Sequence, residues 1–71
     1  MKELLRTNDI AKIAYVRALL EGEGIVPFEL DVNMSVLEGS IGILPRRIMT
    51  AERDHARAVR VLTDAGVALD G

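Results

Sequence analysis

The sequence predicts an α+β domain, a ferredoxin-like split βαβ sandwich of order βαββαβ. Its four-stranded antiparallel sheet would carry both helices on one face. Two observations give this fold. Two helical segments close with the same spacing, Leu20, Gly24 and Ile25 in the first and Leu62, Gly66 and Val67 in the second. An extended segment flanks each helix on both sides. Two such units with right-handed crossovers assemble in this topology.

The first strand is Lys2 to Thr7. Thr7, Asn8 and Asp9 follow it with side-chain oxygens that can accept from free helical N–H groups. From Ile10 the residues are good helix formers, and Gly24 sits just past the end. With Gly24 as the left-handed residue, Leu20 and Ile25 form the apolar contact of a Schellman stop. Val26 to Val32 then alternates, with Val26, Phe28, Leu30 and Val32 on one face. Pro27 has no N–H to give a ladder, so this strand belongs at an edge. After a long connection, Ile43 to Thr50 is the third strand. Thr50 is placed to cap the second helix, which runs to about Ala65, and Val67 to Asp70 is the fourth strand.

Seventy-one residues hold one domain, 1–71. A chain this short buries only about 60% of its unfolded surface. Cysteine is absent and His55 is the only histidine, which removes disulfides as staples and leaves a structural zinc site unexpected. Self-association remains, and a homodimer is expected. Leu4 and Leu5 would fall on opposite faces of their strand, as would Ile43 and Leu44, leaving the face without helices apolar. No run approaches the ~20 apolar residues of a membrane span, and no signal peptide precedes the first strand. A cytoplasmic protein is expected. The net charge of −2 gives no general attraction to nucleic acid.

The connection between the second and third strands is the candidate functional segment. A hairpin needs only a few residues, and loops of this length are often functional. Met34, Ser35, Glu38, Gly39, Ser40 and Gly42 form it, and Arg46 and Arg47 follow in the strand. The glycines match neither the P-loop nor the dinucleotide fingerprint. Adjacent arginines in a strand point to opposite faces, so they cannot make one clamp. One of them could bind an anion or an acidic group beside the loop.

His55 shares a helix face with Ala51, Ala58, Val59, Leu62 and Ala65. The competing reading is a small enzyme using His55 and nearby acids. No serine or cysteine nucleophile is placed beside it, so a boundary histidine packed over the sheet is favoured. Arg53, Arg57 and Arg60 recur on the opposite face and read as a solvated stripe. No residue set specifies a cofactor or a metal.

The run from Met34 to Met49 includes Met34-Ser35, Glu38-Gly39-Ser40, Gly42 and Leu44-Pro45-Arg46-Arg47. With these elements it resembles a family of small bacterial proteins described as prokaryotic signal-transducing proteins. The resemblance covers nearly the whole chain, including the stop at Gly24-Ile25 and the helix start at Asp54-x-Ala56. That family is similar in fold to the nitrogen-regulatory PII proteins, which implies a PII-like domain and a signalling role. The chain has no match to the PII nucleotide-binding residues, so neither ATP nor 2-oxoglutarate is implied. The expected function is a non-enzymatic binding or regulatory module. Its loop would contact a partner protein or a small anionic effector, or else serve only to build the dimer.

Overall fold

The computed structural model describes residues 1–31 and 46–69. Strand β1 (Lys2–Thr7) leads to helix α1 (Ile10–Gly22), strand β2 (Phe28–Asp31), strand β3 (Arg46–Thr50) and helix α2 (Glu52–Asp64). The sheet is antiparallel in the order β1-β3-β2. This makes β2 an edge strand among the described residues, as expected, although Pro27 precedes the strand and takes no part in its ladder.

Helix α1 starts where Asp9 Oδ1 accepts from the N–H groups of Ala11 (3.0 Å) and Lys12 (3.2 Å). Thr7 Oγ1 accepts from the Asp9 N–H in turn, which fixes the entry of the chain. Both helices stop as expected. The Ile25 N–H donates to Leu20 O at 2.9 Å and the Gly24 N–H to Glu21 O at 3.1 Å, with Gly24 at φ 76°. The second stop repeats this with Val67 to Leu62 O, Gly66 to Thr63 O, and Gly66 at φ 79°. The positive φ is what selects glycine at these two positions.

Four expectations need correction or trimming. Leu4 and Leu5 do not part to opposite faces. The register steps from Glu3 opposite Met49 to Leu5 opposite Ile48, so Leu4 is an extra residue in a β-bulge. Leu4 and Leu5 therefore both point into the core, at 7% and 1% exposure. Thr50 does not cap α2. It pairs with Lys2 at the end of β3, the N-cap is Ala51, and no side chain among the described residues caps the start of this helix. Val67 to Leu69 form no strand: Val67 is held by the helix stop and the chain bends at Leu69. Val67 and Leu69 are nonetheless half-buried against the core with Ala68 exposed between them. The second strand begins at Phe28 rather than Val26. Val32, Ile43, Leu44 and Asp70 lie outside the described residues.

The core joins Leu4, Leu5 and Ile48 of the sheet to Ile13, Val16 and Leu20 of α1 and Ala58 and Leu62 of α2, with Ile25 closing one end. It is wholly aliphatic. Among the described residues, no helix is long and apolar enough to cross a membrane.

Candidate functional site

The β1 bulge and the β3 register decide which side chains reach the sheet face that lacks helices. Residues opposite one another in an antiparallel pair share a face. Phe28 pairs with Met49 and Leu30 with Arg47, while Arg6 pairs with Arg47 and Glu3 with Met49. The buried Ile48, paired with Leu5 and Glu29, marks the other face. The open face thus carries Phe28, Leu30 and Met49 on one half and Arg6, Arg47 and Glu3 on the other. Phe28 and Leu30 are each 39% exposed, and Val26, at 60%, precedes them in the same alternation.

Arg6 and Arg47 are like charges placed directly across a strand pair, an arrangement that destabilises by itself. Glu3 relieves it on one side: Arg6 donates to Glu3 Oε1 at 3.2 Å. The bulge makes this bond possible, because in a regular strand residues three apart point to opposite faces. Arg47 Nε is buried and has no hydrogen-bond partner among the described residues.

Arg46 turns to the helix side. Its guanidinium reaches Glu29 Oε1 at 3.4 Å, and Arg17 of α1 holds Glu29 Oε2 at 2.8 Å and Glu21 at 3.4 Å. Glu29 first and Glu21 second hold the exposed Arg17 guanidinium further above its ordinary high pKa. This chain of pairs floors an open groove of about 380 Å³ between α1 and the β2 edge, walled by Ile10, Ala14 and Ala18. Among the described residues the two arginines and two glutamates balance in formal charge.

The period-two reading of Arg46 and Arg47 is therefore correct, and the structure separates the two across the sheet. Met34, Ser35, Glu38, Gly39, Ser40 and Gly42 lie outside the described residues. Glu29 was missed as the link between Arg17 and Arg46. The signal was present, since alternation puts an acid at 29 on the helix side of an edge strand. His55 is half-buried at the sheet boundary, and its Nε2 lies 3.0 Å from Glu3 O, a donor contact to the backbone at the bulge. Arg53, Arg57 and Arg60 are all exposed, with Arg57 3.8 Å from Asp54. Among the described residues, no group of three or more His, Cys, Asp or Glu is arranged to hold a metal ion.

A family described as "Putative prokaryotic signal transducing protein" matches residues 1–66, and the chain belongs to it. No curated protein matches the chain.

Proposed function

We propose that this member of the signal-transducing family is a non-enzymatic regulatory module that recognises an acidic partner protein on its open sheet face. The observation that carries the reading is Arg47 Nε, buried with no acceptor among the described residues. A buried donor left unmade costs about 1–3 kcal/mol, and because Arg47 as a whole is only half-buried, a partner's carboxylate would meet its guanidinium beyond the shielded Nε. Arg47 sits between two different neighbours: the charge of Arg6 on one side and the apolar Phe28, Leu30 and Met49 on the other. Arginine beside exposed aromatic and aliphatic side chains is the composition of a protein-binding patch. A small anionic effector would use the guanidinium and leave the apolar half in water. The protein partner is therefore preferred.

The segment from Met34 to Gly42 enters this proposal on its sequence alone, as further contact surface next to Arg46 and Arg47. The fold is read as ferredoxin-like and PII-like, supported by the strand order β1-β3-β2 around two helices. A cytoplasmic location belongs to the same reading. Against the enzyme alternative, the His55 ring nitrogen nearest the sheet is engaged by the Glu3 carbonyl, which suits a structural role.

The test is retrieval of partners with the wild-type chain and with Arg47→Glu, followed by amide NMR titration of any protein recovered. Partner contact should shift the Phe28, Leu30 and Met49 amides, weaken with added salt, and be lost in Arg47→Glu. Shifts on this face from small acids alone would replace the protein partner by an effector. A partner that binds Arg47→Glu as well as wild type would overturn the proposal.

A further inference from the structure

We propose that β1 pairs antiparallel with β1 of a second copy, joining two three-stranded sheets into one of six. Strand β1 ends the order β1-β3-β2, and among the described residues its only strand neighbour is β3, while His55 of α2 lies 3.0 Å from the Glu3 carbonyl. Val67 to Leu69, where the sequence predicts the start of a fourth strand, form no strand, so among the described residues no strand pairs with that edge. A six-residue edge strand is a template for another strand unless something blocks it.

What selects a second copy is the sequence of β1 itself, Lys2-Glu3-Leu4-Leu5-Arg6-Thr7. Run antiparallel against itself about the Leu4–Leu5 bond, it sets Glu3 opposite the partner's Arg6 and Arg6 opposite the partner's Glu3. Leu4 then meets the partner's Leu5. Opposed residues must share a face when the two-fold axis is normal to the sheet. In a regular strand this register fails, because residues 3 and 6, like residues 4 and 5, point to opposite faces. The bulge at Leu4 removes the conflict. It puts Glu3 and Arg6 together on the open face, where they already bond at 3.2 Å, and sends Leu4 and Leu5 together into the core. Bulges often turn an edge away from pairing. Here the bulge is what makes the edge complementary to itself.

The pairing extends the aliphatic core across the two-fold axis, which the small single core favours. It also keeps both open faces on one side of the longer sheet. The inference stands on β1 alone and does not depend on the acidic-partner reading.

The experiment uses sedimentation equilibrium of the whole chain from micromolar to submillimolar concentration. Wild type should be a dimer. Glu3→Arg alone and Arg6→Glu alone each place like charges opposite one another twice, and each should weaken the dimer on the order of tenfold or more. Mixing the two variants restores opposite charges across the interface while leaving each chain's internal pair broken, so a heterodimer should form. Hydrogen exchange on the wild-type chain gives a reading that needs no variant: β1 amides should become more protected as concentration rises. Phe28→Glu, on the open face, should remain a dimer. A wild-type monomer throughout, no heterodimer on mixing folded variants, or dissociation by Phe28→Glu would each overturn the proposal. Loss of the acidic partner with the dimer intact would instead count against the proposed function alone.

Discussion

Leu4→Ala separates a bulged β1 from a regular one. In a regular strand Leu4 and Leu5 take opposite faces, so only one of them lies in the core. With the bulge both are buried, at 7% and 1% exposure, in the same aliphatic cluster as Ile48 and Leu62. Truncating a buried leucine costs about 2–5 kcal/mol, because transfer free energy is lost and a cavity remains. An exposed leucine on the open face would cost within about 0.5 kcal/mol. A domain of 71 residues has roughly 4–10 kcal/mol of total stability, so either core variant removes a large share of it. Urea unfolding should show midpoints lowered by on the order of 2 M for Leu4→Ala and Leu5→Ala alike, with an unchanged slope. All chains must be compared at one concentration, since association shifts apparent stability. A Leu4→Ala midpoint close to wild type beside a destabilised Leu5→Ala would refute the bulge. The self-complementary β1 register would go with it.

Thr50 is fully buried and its Oγ1 has no partner among the described residues, so Thr50→Val should stabilise by roughly 1 kcal/mol in urea unfolding; a loss would mean the hydroxyl is bonded. Gly22 and Gly24 form a matched pair, since a Cβ at either meets nothing within 4 Å. Gly24→Ala should cost about 1–2 kcal/mol through its left-handed φ of 76°, whereas Gly22→Ala, at the last position of α1, should stabilise by up to about 0.5 kcal/mol. Thermal melts of the two variants should shift in opposite directions. His55→Ala should cost about 1–2 kcal/mol by removing the contact to Glu3 O and partial packing, and it should leave partner binding unchanged in the NMR titration.

Helix stops were legible because their bonding is local. Once Gly24 and Gly66 take positive φ, the partners of Ile25 and Val67 follow from counting residues. The failures share a different cause, since each depends on a strand distant in sequence. Thr50 has the chemistry of a cap, but the β1–β3 ladder carries regular pairing to its position opposite Lys2, and the helix begins one residue later. Val67-Ala68-Leu69 has strand-like alternation and shows the matching half-buried, exposed, half-buried pattern. Alternation reports which side chains meet the core, however, and does not by itself supply a partner for the backbone.

The bulge at Leu4 ties the fold and the candidate site together. Reading β1 by simple alternation puts Leu4 on the open face between Lys2 and Arg6 and sends Glu3 to the helix side. Inserting one residue moves both leucines inward and leaves Glu3 and Arg6 outside, beside Arg47. The open face thereby becomes divided, charged over β1 and apolar over β2, with Arg47 at the boundary between them. Neither half alone distinguishes a specific partner: an apolar patch accepts many surfaces, and exposed ion pairs contribute little. Together they require an acid at a fixed distance from an apolar group, and that requirement is a source of specificity. A single backbone irregularity, invisible to residue periodicity, thus takes a leucine off the β1 half of the face and gives that half an acid beside its arginines.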